Sequence, residues 1–276
     1  MGLEVWDGRR LGRGALVALG VMQDPVLEHI GQIRETLRRG VLVDDRLFDD
    51  VYPLHVRGAS SIHWTPVEVA VRAAKLLAIE PGARILDIGS GVGKFCIVAA
   101  AAVDARVRGI EHRPHLVEIA ERAAARVGVD VTFTTGTFSA ADADGVDGIY
   151  LFNPFGENLC SSADSIDVTV ERSAERFRRD IAAVEELFRE ARVGTRVVTY
   201  CGFGGRLPSG YTLATRDRCA GLIELWVKTS RGGLGPSDPT PLGTRAVVSP
   251  SSPTSRAHAE MTQSPTPTSA STQTKP

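Results

Sequence analysis

The chain has 276 residues, 43% of them hydrophobic and 24% charged, which is enough to bury one core of the usual domain size. Its formal net charge of −1 gives no overall attraction to nucleic acid or membrane, and no apolar run approaches the roughly 18 residues of a membrane span. The four cysteines form no C-x-x-C pair and lie in apolar segments, so we expect reduced thiols of a cytoplasmic protein and no metal site.

The N-terminal part is predicted to be a short leader followed by a helical segment. Residues 1–23 are interpreted as a leader or an over-called start, with Met22 as the true one, because their acidic residues argue against a signal peptide. A helical segment is expected over residues 24–59. Its main helix begins at Asp24-Pro25, a capping residue followed by proline, and the stretch 44–57 is expected to form a loop near the functional site.

Thr65-Pro66-Val67-Glu68 predicts the start of a second helix. It is a T-x-x-E capping box with proline at the first helical position, so we expect a helix that begins at Thr65 and runs through Leu77. The capping role explains Thr65 by itself. It does not explain the aromatic and polar residues in front of it, Ser60 to Trp64.

The stretch from Arg84 to Val103 has the pattern of a nucleotide-binding corner. Arg84–Ile88 is a short apolar run typical of a strand buried in a parallel sheet, three alternate glycines follow, and an alanine-rich segment predicts a buried helix. In an open α/β sheet this order places a ligand beyond the carboxyl end of the strand. The alternative is a tight turn that uses the glycines for its backbone alone.

The spacing of the glycines distinguishes between nucleotide-binding loops. Lys94 stands where a dinucleotide fingerprint needs its third glycine, and Ile88 and Phe95 stand where a Walker-type loop needs Gly and Ser/Thr. Asp87–Gly93 instead resembles the first motif of class I S-adenosylmethionine-dependent methyltransferases. The resemblance implies a doubly wound α/β fold, a mostly parallel seven-strand sheet with an antiparallel last strand, and a loop that binds the cofactor through the residues Asp87, Gly89, Ser90, Gly91 and Gly93.

An acidic residue at the end of the second predicted strand supports a nucleoside site. Glu111 closes the strand Arg106–Glu111 about twenty residues after Gly89, as expected for a carboxylate that binds ribose hydroxyls. A solvated acid is the alternative. After a third strand, Thr137 and Phe138 stand where methyltransferases of this fold bracket the adenine, and Thr137 replaces the usual Asp, so Asp142 or backbone groups are the alternatives for this role.

The fourth predicted strand, Gly148–Phe152, runs into Asn153-Pro154-Phe155. This resembles the [D/N/S]-P-P-[F/Y/W] motif of methyltransferases that act on planar amino nitrogens, with one proline missing. The resemblance implies that Asn153 orients an acceptor nitrogen and that Phe155 stacks on the substrate. Pro154 is expected to hold Asn153 in an extended conformation, and an ordinary strand-ending turn is the alternative.

The rest of the chain predicts a lid, one helix, three strands and a tail. Residues 159–170 are a candidate lid, and 174–192 an amphipathic helix whose charged face is expected to be solvated. Strands are expected over 195–201, 211–215 and 222–229. The residues from 230 onward are rich in Pro, Ser and Thr, so they are predicted to be a disordered tail.

The resemblance covers about residues 60–229 and points to an uncharacterised bacterial methyltransferase family. It implies S-adenosylmethionine as cofactor, no metal, and an unknown acceptor, a protein, RNA or small molecule, whose accepting atom is predicted to be nitrogen. A similar Thr-Pro lies against the methionine end of the cofactor in many nucleic-acid adenine methyltransferases, which implies this role for Thr65. The alternatives are a catalytically silent S-adenosylmethionine-binding module and a nicotinamide-dependent oxidoreductase.

Overall fold

The computed structural model describes residues 25–155, 173–218 and 221–231. The strands are β1 (Ala83–Ile88), β2 (Ala105–Glu111), β3 (Val131–Thr135), β4 (Gly148–Phe152), β5 (Arg196–Tyr200), β6 (Tyr211–Asp217) and β7 (Ile223–Lys228). The α-helices in these ranges are α1 (Pro25–Arg38), α2 (Asp45–Asp49), α3 (Leu54–Arg57), α4 (Ser60–His63), α5 (Val67–Leu77), α6 (Lys94–Ala102), α7 (Pro114–Val127) and α8 (Ala174–Glu190).

The seven strands form one sheet in the order β3-β2-β1-β4-β5-β7-β6. Strands β1 to β5 run parallel to one another, and β7 pairs antiparallel with both β5 and β6. This confirms the predicted mostly parallel sheet with an antiparallel last strand. The strand order reverses between β1 and β4, and in open α/β sheets such a reversal is where ligands bind beyond the carboxyl ends.

Successive side chains of the strands supply two separate hydrophobic cores. Ile85 of β1 belongs to a core with residues of α1, α5, α6 and α7, whereas Leu86 belongs to a second core with Val184, Leu187 and Phe188 of α8. The alternation follows from the two-residue period of a strand. Helix α6 is apolar on nearly all sides because it lies between the sheet and α1, α5 and α7.

The predicted loop over residues 44–57 is wrong, because this stretch contains the short helices α2 and α3. Phe48 and Tyr52 are both fully buried and pack against each other, with ring centroids 6.2 Å apart. The aromatic side chains therefore belong to the core, and burial of Phe48 stabilises α2, a helix too short to be stable alone.

The predicted capping box at Thr65 is also wrong. Helix α5 begins at Val67 with Pro66 as its N-cap, and the cap makes no side-chain hydrogen bond. The amide of Val67 instead donates to Asp45 Oδ1 of α2 at 3.0 Å. A carboxylate from a neighbouring helix thus accepts from the helix N-terminus, where negative charge is favourable. The threonine hydroxyl is left available for another partner.

Several predicted features lie outside the described residues. They are the leader over residues 1–23, the candidate lid over 159–170 and the tail beyond residue 231. Within the described ranges, no helix is long and apolar enough to cross a membrane.

Candidate active site

A cavity opens at the carboxyl ends of β1, β2 and β4. Eleven of the twelve residues that the sequence predicts for the site line it: Thr65, Asp87, Gly89, Ser90, Gly91, Glu111, Thr137, Phe138, Asn153, Pro154 and Phe155. Gly93 is not among the lining residues. Its φ is +76°, and a Cβ there would lie 2.5 Å from the Phe133 ring, so this glycine permits close packing behind the loop.

Gly89 brings the glycine loop against the segment that follows β4. Its φ is +75°, and a Cβ at this position would lie 2.8 Å from Pro154 Cβ. A side chain is therefore excluded both by the backbone conformation and by the contact with Pro154. The two predicted motifs, Asp87–Gly93 and Asn153–Phe155, meet at this contact and form adjacent walls of the cavity.

Glu111 is held rigidly at the end of β2. It is 4% exposed; its Oε2 accepts a hydrogen bond from the Gly91 amide and its Oε1 one from the Arg113 amide, both at 3.0 Å. The His112 imidazole lies 3.1 Å from Oε1 and the Arg113 guanidinium 3.7 Å from it. A carboxylate has about four acceptor positions, and Oε1 is the more crowded oxygen, so Glu111 retains capacity to accept from ligand hydroxyls mainly through Oε2.

Asp87 has an unusual charge state for an aspartate. Burial raises its pKa to about 7, and repulsion by the nearby Glu111 carboxylate adds to the shift, whereas the thiol of Cys96, which donates at 3.2 Å, opposes it. At neutral pH the carboxyl is therefore poised between its two forms. A cationic group bound beside it favours the ionised form.

Thr65 contacts β4 instead of capping a helix. Its Oγ1 lies 2.9 Å from the hydroxyl oxygen of Tyr150, and this hydrogen bond is buried. The Tyr150 ring in turn stacks on Phe95, with centroids 3.8 Å apart and 12° between the planes. Trp64 packs on Tyr52 at 4.9 Å. The segment before α5 is thereby fixed as one wall of the cavity.

Asn153 does not have the extended conformation predicted from the following proline. Its φ is +36°, in the left-handed region that asparagine tolerates better than most residues. Its backbone N–H donates to the Gly202 carbonyl at 3.0 Å. The contact of Pro154 with Gly89 and this hydrogen bond to the turn after β5 accompany the bend. Phe155 is 7% exposed, and its ring tilts against Phe138 with 5.8 Å between centroids.

Asp142, the alternative adenine contact, is engaged elsewhere. Its carboxylate accepts from Arg108 at 2.9 Å and from the Ser139 amide at 2.8 Å, and it is not among the cavity-lining residues. Thr137 and Phe138 do line the cavity. The structure thus places Thr137 and Phe138 at the cavity and Asp142 outside its lining.

Helix α8 contributes a cavity wall that the sequence did not predict. Arg176, Asp180 and Ala183 all line the cavity, and their spacing of four and three residues puts them on one helical face. Nε of Arg176 lies 3.5 Å from Asp180 Oδ2. The charge pattern predicted a solvated face, but Phe177 packs on Gly204 and Ile181 on Gly205, which turns the pair towards the cavity.

Other lining residues were not predicted individually, although most of them adjoin the predicted motifs in the chain. They are His63, Trp64, Lys94, Phe95, His112, Arg113, Tyr150 and Phe152. The aromatic and polar residues before Thr65 were the sequence feature that could have indicated His63 and Trp64. No group of three His, Cys, Asp or Glu residues in the described ranges could hold a metal ion.

Comparisons with known proteins identify relatives of this chain. The family model described as protein-L-isoaspartate(D-aspartate) O-methyltransferase matches residues 20–169, more than half of the chain. A curated protein-L-isoaspartate O-methyltransferase of Methylorubrum populi is 28% identical over 204 residues, which are 74% of this chain and 81% of that protein.

Solved structures of similar proteins include two methyltransferases. One is an RNA methyltransferase from Salinibacter ruber in complex with S-adenosyl-L-homocysteine, 24% identical, with a TM-score of 0.45 over 62% of this chain and 97% of that one. The other is a SAM-dependent methyltransferase from Thiobacillus denitrificans, 23% identical, with a TM-score of 0.35 over 53% and 54% of the two chains.

Proposed function

Because the chain belongs to the protein-L-isoaspartate(D-aspartate) O-methyltransferase family, we propose that it methylates the side-chain or main-chain carboxylate of isomerised aspartyl residues in proteins. It is a class I S-adenosylmethionine-dependent methyltransferase, as the glycine loop predicted. The observation that carries the proposal is that the family match spans residues 20–169, which include the glycine loop, Glu111 and Asn153-Pro154-Phe155. A cytoplasmic location, expected from the sequence, is part of the proposal.

We assign the cofactor to the cavity at the ends of β1, β2 and β4. When bound, S-adenosylmethionine supplies an electrophilic methyl group, and the electron pair of the broken S–C bond stays on its sulfur. Glu111 would accept hydrogen bonds from the ribose hydroxyls, because both of its oxygens are already held in place by backbone amides. Asp87 would bind the amino group, and Gly89 and Gly91 would let the backbone approach the ligand.

The acceptor would enter beside Asn153 and α8. In the proposed reaction a carboxylate oxygen forms the new O–C bond, and the acceptor loses its negative charge. The guanidinium of Arg176 can attract the acceptor carboxylate. It can pair with Asp180 again once the ester is neutral. The side-chain amide of Asn153 can donate to one carboxylate oxygen and leave the other aimed at the methyl group.

A nitrogen acceptor is the second candidate, and the Asn153-Pro154-Phe155 sequence favours it. In that case the side-chain oxygen of Asn153 would accept the amino hydrogens, and Phe155 would stack on the substrate. The same residue can serve either acceptor because an asparagine amide both donates and accepts. The chemical stability of the product distinguishes a methyl ester on a carboxylate from a methylated nitrogen.

Methyl transfer to matched peptides tests the proposal. The purified protein is incubated with methyl-labelled S-adenosylmethionine and a peptide containing L-isoaspartate, the same peptide with ordinary aspartate, or a peptide with lysine and arginine. We expect label in the isoaspartyl peptide alone, released by mild base as expected for a carboxyl ester. Base-stable label in the lysine and arginine peptide would contradict the proposal and favour the nitrogen acceptor.

A further inference from the structure

Lys94 is a buried cation whose polar partners all come from the N-terminal helices. It is the first residue of α6, directly after the glycine loop, and it is 2% exposed. Its Nζ lies 2.7 Å from Asp45 Oδ1 and 2.7 Å from Asp49 Oδ1, and it donates to Ser60 Oγ at 3.1 Å. Since a buried ammonium is costly unless it is paired, these contacts fix the position of residues 45–60 relative to the glycine loop.

His63, Trp64 and Thr65 form one wall of the cavity. The partners of Lys94 hold the chain before and after these three residues. Ser60 lies three residues before this wall. Asp45 Oδ1 also accepts from the amide of Val67, two residues after Thr65. The wall is therefore held from both ends by groups that contact one ammonium.

We propose that Lys94 is a positioning residue for cofactor binding, which acts through Asp45 and Ser60 on the wall from His63 to Thr65. This explains why the chain has lysine where a dinucleotide loop has its third glycine. The inference rests on the cofactor assignment but not on the identity of the acceptor. The N-terminal helices also pack on α6 and α7 through Ile30, Ile33 and Leu37, so the fold does not depend on Lys94 alone.

Calorimetric titration with S-adenosylhomocysteine tests the role of Lys94 without any turnover. Lys94→Met leaves the Asp49 carboxylate, 11% exposed, without its ammonium, so this variant also lowers stability. Lys94→Met combined with Asp49→Asn removes both charges. We expect the Kd to rise about tenfold in both variants, or about 1.4 kcal/mol, while the melting temperature recovers in the double variant.

Arg126→Met is the matched control. Arg126 of α7 donates to the Val51 carbonyl at 2.8 Å, so it anchors the same N-terminal segment, but it is not a cavity-lining residue. We expect a lower melting temperature and an unchanged Kd. Because Lys94 itself lines the cavity, hydrogen exchange in the ligand-free protein separates a positioning role from direct contact with the ligand. The amides over residues 60–67 should exchange faster in both Lys94 variants and at an unchanged rate in the control.

Two results would overturn the inference. In the first, the affinity of the double variant recovers together with its melting temperature. In the second, Arg126→Met loses as much affinity as Lys94→Met. Either result would mean that Lys94 stabilises the fold and has no separate influence on the cofactor site.

Discussion

Thr65 and Tyr150 are joined by a buried hydrogen bond of 2.9 Å between their hydroxyl oxygens. The residues are 85 positions apart, and the bond connects the segment before α5 to the centre of the sheet. Tyr150 also stacks on Phe95, which follows the glycine loop. Three elements of the cavity wall therefore meet at Tyr150.

Removal of the Thr65 hydroxyl should destabilise the protein measurably. Thr65→Val leaves the Tyr150 hydroxyl buried without this partner, so we expect the free energy of unfolding to fall by about 1–3 kcal/mol. Urea denaturation measures the change. Thr199→Val is the control, because Thr199 is 1% exposed and its Oγ1 has no hydrogen-bond partner among the described residues. An equal loss at both positions would mean that the hydrogen bond contributes nothing.

Cofactor affinity should depend on pH through Asp87. Its pKa is raised to about 7 mainly by burial, and only the ionised carboxylate attracts the cofactor's amino group. Affinity should therefore increase as the pH rises through 7 and fall about tenfold per unit below it, where the carboxyl is protonated. Calorimetry between pH 5.5 and 8.5, the range about the pKa in which the carboxyl titrates, measures this. An affinity that is flat over this range would contradict the assignment of Asp87.

The stability of the ligand-free protein should show the opposite dependence. The folded-state pKa of Asp87 lies above its ordinary value of 3.8, so the folded state binds the proton more tightly than the unfolded state. The contribution of this tighter proton binding to the free energy of unfolding is fully present below the ordinary pKa. It is lost as the pH rises towards about 7. Asp87→Asn should remove this contribution, whereas Asp142→Asn, which alters a carboxylate outside the cavity lining, should retain it. A parent protein and an Asp87→Asn variant with parallel stability profiles would reject the raised pKa.

Arg176 should affect the acceptor and not the cofactor. Arg176→Met removes the cation that lines the cavity beside Asp180, so we expect the KM for a carboxylate acceptor to rise about tenfold, the lower end of the range for charged hydrogen bonds. Initial-rate kinetics measure this change. Arg189→Met, on the same helix and about half exposed, is the control. If the acceptor KM is unchanged while the Kd for the cofactor rises, Arg176 belongs to the cofactor site.

The sequence predicted the parts of the site that depend on local pattern. The glycine spacing, the acid at the end of β2 and the Asn-Pro-Phe turn are short-range features of strand ends in a parallel sheet, and the structure brings them to one cavity. Contacts between distant segments were not predictable. The partner of Thr65 is Tyr150 and that of Lys94 is α2, and neither pairing leaves a periodic trace in the chain.

The cavity face of α8 was missed for a related reason. Its charges balance along the helix, which is the usual pattern of a solvated face. The orientation is set instead by Phe177 and Ile181, which pack on the glycines after β5, at positions where a Cβ would lie 2.6 Å from Phe177 and 2.7 Å from Ile181. Only the folded chain places those glycines beside the helix.

The chemical identity of the methylated product tests the account most directly. An isoaspartyl peptide is incubated with the protein and S-adenosylmethionine carrying a deuterated methyl group, and the peptide is analysed by mass spectrometry before and after mild base. We predict one labelled methyl group on the isoaspartyl residue that base removes completely. A labelled methyl group that survives base would contradict a carboxylate acceptor.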